Sequence, residues 1–118
     1  MRHRSKKVQL DRNARQRKPL LRNLAVSLIT TEKIVTTDAK GRWVKAFVER
    51  LITKGKANTL HARRQIIAAL NDPKAAEKVL TVLSPRFAKR AGGYSRSIKL
   101  TPRHGDAAER VVIELLNE

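Results

Sequence analysis

Arg110-Val111-Val112-Ile113-Glu114-Leu115-Leu116 is the stretch on which the fold turns. Five of its seven residues are aliphatic and three of those are β-branched, so it reads as a strand. It lacks the alternation of a half-exposed strand, as expected of a central strand buried on both faces. Two other stretches also read as strands. Ile34-Val35-Thr36-Thr37 is short and β-branched. After Gly92-Gly93 the residues alternate, with Tyr94, Arg96, Ile98 and Leu100 on one face and Ser95, Ser97 and Lys99 on the other.

Between these strands the apolar period lengthens to that of a helix. Leu20, Leu21, Leu24, Ala25, Leu28 and Ile29 predict a first helix over about 15–31, with Pro19 in its opening turn. Asp38 is placed to cap a second helix, whose stripe is Val44, Phe47, Val48, Leu51 and Ile52; Trp43 joins that stripe and Gly55 ends the helix. A third runs from about Thr59 to Leu70, with Leu60, Ile66, Ile67 and Leu70 inward. Asn71-Asp72-Pro73 stops it and starts a fourth, with Asp72 as cap and Pro73 at the first helical position. Ala76, Val79, Leu80 and Leu83 are its inner face, and Ser84-Pro85 ends it. The order is α-β-α-α-α-β-β, an α/β (α+β) fold with a small mixed sheet packed against helices. Residues 15–118 are expected as one domain, preceded by an extended basic arm over 1–14.

Charge dominates the composition. Lys and Arg number 27 against 10 Asp and Glu, a net charge of +17. Such a chain repels itself, and its natural partner is a polyanion. The charge is unevenly placed. Residues 1–22 hold nine basic side chains and one acid, and 86–104 hold six with none. The last 14 residues reverse the sign, to −3. Nucleic acid is the leading candidate and an anionic membrane surface the second; no apolar run reaches the length of a membrane span, and no membrane partner is expected. Catalytic patterns are missing. His3, His61 and His104 lie in separate segments, no phosphate-binding Gly-rich loop ending in Gly-Lys-Ser/Thr occurs, and the carboxylates are scattered. Neither enzymatic chemistry, nor a small-molecule substrate, nor a cofactor or metal is therefore expected.

Two clusters read as RNA-binding. The first is the arm with the start of the first helix: Arg2, His3, Arg4, Lys6, Lys7, Arg12, Arg15, Arg17, Lys18 and Arg22. Arg-rich and nearly free of acid, it can order between phosphates, which the guanidinium fork matches; otherwise it is a solvated tail. The second is Arg90-Ala91-Gly92-Gly93-Tyr94-Ser95-Arg96. Gly92 and Gly93 permit positive φ and close approach, Arg90 and Arg96 bracket the turn, and Tyr94 either stacks on a base or points into the core. Lys40, Arg86, Arg103 and the pair Arg63 and Arg64 beside His61 are further candidates. With only 3% aromatic residues, an exposed stacking platform is not expected; contact through phosphates, 2′-hydroxyls and RNA shape fits better. The alternative is a nucleoid-type or helix-turn-helix DNA-binding protein using the third and fourth helices, against which the acidic Asn71-Asp72-Pro73 connection argues.

With these residues in view, the chain resembles the family of bacterial large-subunit ribosomal proteins numbered seventeen. The likeness begins at Met1-Arg2-His3-Arg4 and runs through Arg22-Asn23, Thr36-Thr37 and Leu51-Ile52-Thr53. It is most specific at Pro85-Arg86-Phe87-Ala88 and Arg90–Arg96, and closes at Gly105-Asp106-Ala107 and Ile113-Glu114-Leu115. The resemblance implies a cytoplasmic structural component of the large ribosomal subunit. It implies binding to 23S-type rRNA near the exit side of the polypeptide tunnel, beside neighbouring ribosomal proteins. It also makes the basic N-terminus mature sequence. Asp11, Pro19 and Gly41-Arg42-Trp43 depart from the family's usual residues.

Overall fold

A computed structural model describes residues 14–117. Four helices and three strands follow the expected order: α1 (Ala14–Thr31), β1 (Lys33–Thr37), α2 (Asp38–Gly55), α3 (Leu60–Leu70), α4 (Pro73–Lys78), β2 (Ser95–Lys99) and β3 (Arg110–Leu115). Helix α4 continues through a π-helical turn (Val79–Leu83) into a last short turn (Ser84–Arg86). Pro85 thus does not stop the rod at Ser84. A proline crowds the carbonyl four residues back, and the wider π turn immediately before it gives that carbonyl room.

The strand order is β1-β3-β2, so Arg110–Leu115 is the central strand. Both pairings are antiparallel, which makes the sheet antiparallel throughout rather than mixed. Ile34 lies opposite Ile113 and Val35 opposite Val112 on one side; Ser97 and Ile98 face the same two residues on the other. The inner face, with Val111, Ile113 and Leu115, joins the core under the helices. Among the described residues, the outer face has no second layer. Val112 is only 8% exposed there because Val35 and Ile98 flank it, and those two remain 57% and 47% exposed. The burial expected on both faces of this strand therefore has two sources, helices on one side and neighbouring strands on the other.

Local chemistry sets the helix ends. Glu32 takes φ 64 and its N–H returns to the Leu28 carbonyl at 2.7 Å, closing α1. Pro19 is the sixth residue of α1, in its second turn rather than its opening one, because the helix already begins at Ala14, and it removes one backbone bond. Thr37, not Asp38, is the N-cap of α2; Asp38 opens the helix, where its carboxylate faces the positive end of the dipole and pairs with Arg42. Thr59 caps α3 through Ala62 N–H at 3.0 Å, and Asn71 closes it at φ 53. Asp72 caps α4 through the N–H groups of Lys74 and Ala75, with Pro73 in the first turn, as expected.

Leu28, Ile29, Val44, Val48, Ile52, Ile66, Val79, Leu83 and Ile113 form the centre of the core. Leu60, expected inward, is 63% exposed. The inner face of α3 follows Ala62, Ile66 and Leu70 at four-residue steps, and Leu60 falls outside that stripe. Phe47 and Trp43 are half-buried at the edge of the α2 stripe.

Candidate nucleic-acid interface

The last turn of the helical rod leads directly into the glycine turn. Phe87 N–H reaches the Leu83 carbonyl at 3.1 Å and Arg90 N–H reaches Phe87 at 3.0 Å, so the chain coils tightly before Gly92. Gly93 has φ 64, the conformation that favours glycine. Both glycines are exposed, and a Cβ on either would meet nothing within 4 Å. The outside of the turn is open to close approach by another molecule.

Its inside is pinned. The Tyr94 ring is 1% exposed, packs 5.0 Å from the Phe87 ring, and its hydroxyl lies 3.2 Å from Thr53 Oγ1. Of the two readings open for Tyr94, the structure gives the core one. The ring is not presented for stacking, and the stripe it was expected to share with Arg96, Ile98 and Leu100 begins inside the core and runs out along an exposed edge strand. Burial raises the Tyr94 phenol, but the nearby Lys56 ammonium and Thr53 hydroxyl outweigh it and leave the group below its ordinary value. Lys56 Nζ sits 4.5 Å from the ring centre and donates to the Arg90 carbonyl. Ser95 N–H donates to Glu49 Oε2 at 3.3 Å, and Leu116 N–H to the Tyr94 carbonyl at 3.0 Å.

This pinning brings Arg90 and Arg96 to one shallow cleft, beside Glu114 and Leu116. Arg90 also borders a second cleft with Arg86, Lys89 and Pro85. Arg96 is exposed and pairs with Glu114 through Nε, leaving its terminal nitrogens for other acceptors. Arg90 spans the turn, donating to the Gly93 carbonyl at 3.4 Å. Lys89 is exposed beside it.

The other expected cations divide into two groups. Arg15 and Lys18 are exposed and Arg17 half-buried on the first turns of α1, and the first turn of that helix contains no acidic residue. Three cations at the positive end of a helix dipole favour an anion there. Lys40 is half-buried in the first turn of α2, and Arg64 is exposed on α3. Arg63, exposed beside it, lies 3.9 Å from Glu77.

By contrast, Arg22 and Arg86 work inside the protein. Arg22 donates from Nε to Ala69 O at 3.2 Å and from a terminal nitrogen to Ala68 O at 3.4 Å, docking α1 on the last carbonyls of α3. Arg86 pairs with Glu32 and donates to Leu116 O at 3.2 Å. Arg103 is held bidentately by Asp106, whose carboxyl is lowered to about 2, first by that guanidinium and then by the Ala108 N–H. The N-terminal candidates Arg2, His3, Arg4, Lys6, Lys7 and Arg12 lie outside the described residues.

Three functional placements were not foreseen. Glu32 gathers Arg86 and Lys78, the latter at 3.1 Å, and is lowered chiefly by its hydrogen bond from Arg86. Arg50 and Lys54 are exposed on the last turns of α2, spaced to share a face. Lys56 reaches back under the glycine turn. Nothing in sequence separates Lys56 from any other lysine after a helix; its role exists only because β2 returns beside the end of α2.

No three His, Asp or Glu side chains converge as a metal site among the described residues, and His61 and His104 are exposed on separate elements. No helix among those residues is long and apolar enough to cross a membrane. Fold and surface together define a class: a small, strongly basic α+β protein whose cations cluster at one helix start and around one glycine turn. The family model for ribosomal protein L17 matches residues 20–116, and the chain belongs to that family, one of structural ribosomal proteins rather than enzymes. It is 47% identical over 116 residues to the large ribosomal subunit protein bL17 of Solibacter usitatus, covering 98% of this chain and 77% of that one. Against the bL17 of Gemmatimonas aurantiaca it is 49% identical, covering 98% of each.

Proposed function

We propose that the chain is a structural constituent of the large ribosomal subunit in the cytoplasmic ribosome. It holds folded 23S-type rRNA through Arg and Lys contacts to phosphate, with other large-subunit proteins beside it. The observation that carries this reading is the basic glycine turn. Its outer side is open, its inner side is pinned to the core, and Arg90, Arg96 and Lys89 surround it. Such a surface places charge without offering aromatic rings, so it reads backbone and shape rather than bases. The cations at the start of α1 and in the arm add a second anchor. The 42–49% identity to bL17 proteins supports the same assignment.

The helix-turn-helix alternative gains little support. Helix α4 has six residues before the π turn, and two of them, Ala75 and Ala76, are buried. That leaves little to read a major groove. The test is competition between 23S-type rRNA and duplex DNA of equal length at matched salt, alongside sedimentation of cell extract after a high-salt wash. Preference for rRNA and co-sedimentation with large subunits are expected; preference for duplex DNA would overturn the proposal.

A further inference from the structure

We propose that Lys56 is a positioning residue for RNA binding, acting through the glycine turn without touching phosphate. The inference rests on the rRNA-binding reading of that turn. Lys56 follows Gly55, the last residue of α2, and its side chain turns inward rather than joining exposed Lys54. Its ammonium does two things at once. It lies 4.5 Å from the centre of the buried Tyr94 ring, and it donates to the Arg90 carbonyl. A cation on an aromatic face and a charged donor on a carbonyl are each strengthened where water is scarce. Together they join Arg90, ahead of the two glycines, to Tyr94, directly after them.

The glycines need such a clamp. Gly92 and Gly93 give the backbone freedom that would scatter Arg90 relative to Arg96. Three ties restrain that freedom: Lys56 to Arg90 O, Glu49 to Ser95 N–H, and Tyr94 O to Leu116 N–H. The first joins the segment ahead of the glycines to the end of α2, in addition to the Arg90 N–H bond to Phe87 and the Arg90 guanidinium bond to Gly93, so without it that hinge is tied less firmly to the core. Ordering that hinge then falls on the binding step and weakens affinity. A direct phosphate contact would act differently, releasing counterions and steepening the salt dependence.

The test compares the full-length parent, Lys56→Met, Lys56→Arg and Arg96→Met on a 23S-type rRNA fragment across a salt series. Lys56→Met keeps the stem and removes the charge; it should lose about five- to twenty-fold in affinity with the log–log salt slope unchanged. Arg96→Met should flatten that slope by about 0.7–0.9. Lys56→Arg, whose planar cation can stack on the ring and donate, should bind within about threefold of the parent. In the free chain, hydrogen exchange in Lys56→Met should accelerate at Ser95 and Leu116 but not at Val111 or Ile113. That readout needs no RNA, so it separates failure of this inference from failure of the rRNA reading, which a parent without rRNA preference would show. A flattened slope in Lys56→Met makes Lys56 a phosphate contact. Parental affinity with unchanged exchange removes its positioning role, and loss of cooperative melting makes it a core support. Each of those three results overturns the proposal.

Discussion

Gly55→Ala tests a close helix contact. Gly55 ends α2 against the π turn, and a Cβ there would stand 2.3 Å from Ser84 Oγ. Val79 Cγ1 and Ile66 Cδ1 lie at 3.4 and 3.5 Å, so little space remains on the other sides. Ser84 is buried, and its hydroxyl donates to the Ile52 carbonyl at 3.2 Å. Alanine gains at most about 1 kcal/mol in helix propensity, and less at a helix end. Against this, turning Ser84 away buries an unpaired hydroxyl at about 1–3 kcal/mol. Moving the helices apart instead costs a similar amount as overpacking, about 1–3 kcal/mol. The net expectation is a loss of about 1–2 kcal/mol, or roughly 5–15 °C in Tm, read by thermal and urea melts. A second variant isolates the cause. Ser84→Ala removes the clashing oxygen, and the Ile52 carbonyl keeps its bond from Lys56 N–H at 3.2 Å. Gly55→Ala in that background should cost close to nothing, a coupling of about 1–2 kcal/mol. A single variant that melts at or above the parent, or an equal loss in both backgrounds, would refute this account.

Further expectations follow from the same contacts. Glu32 is lowered below its ordinary 4.5 by Arg86 and Lys78, so its stabilisation is complete above that pH and is lost as pH falls through the folded-state value; Glu32→Gln should melt below the parent at pH 7, with the gap closing on acidification below about 4.5. Phe87→Ala, at a fully buried ring, should cost about 3–5 kcal/mol in urea melts, and the half-buried Phe47→Ala distinctly less, about 1–3 kcal/mol. Gly93→Val places a β-branched residue at φ 64 and should cost about 1–3 kcal/mol while weakening rRNA binding; parental melting and binding together would contradict it. Deleting residues 1–13 removes Arg2, Arg4, Lys6, Lys7 and Arg12 and keeps every core residue among the described ones, so Tm should hold while the rRNA salt slope flattens by about two units.

Much of the fold was legible because its signals are local. The apolar-rich, β-branched stretch at 110–116 marked the central strand, and Asp72-Pro73 marked a helix start, each through chemistry within a few residues. What was not legible depends on partners far along the chain. Leu60 reads as inward by composition, but the face of α3 is set by what packs on Ala62 and Ile66. Asp38 reads as a cap until β1 runs directly into α2 and Asp38 N–H is taken by the Glu109 carbonyl at 3.0 Å. Tyr94 belongs to the core because Thr53 and Phe87, distant in different degrees, close around it.

The candidate site shows the same division, and it turns on the scarcity of acid. Net charge counts cations but does not say which are free to meet phosphate. Among the described residues, the few carboxylates select particular partners: Glu32 takes Arg86 and Lys78, Asp38 takes Arg42, Glu77 takes Arg63, Asp106 takes Arg103 and Glu114 takes Arg96. These pairs are not equivalent. Arg86 is spent on β3's end and α1's end, whereas Arg96 pairs through Nε and lines the cleft it shares with Arg90. Backbone carbonyls take others, with Arg22 on α3 and Arg110 on Thr101 at 3.0 Å. A guanidinium with five donors can serve a carbonyl and a phosphate together, but one that is half-buried against a helix end has lost its access. The positive surface left by these pairings is therefore smaller than +17 suggests; its exposed cations include Arg15 and Lys18 at the start of α1, Arg50 and Lys54 at the end of α2, and Lys89 at the glycine turn.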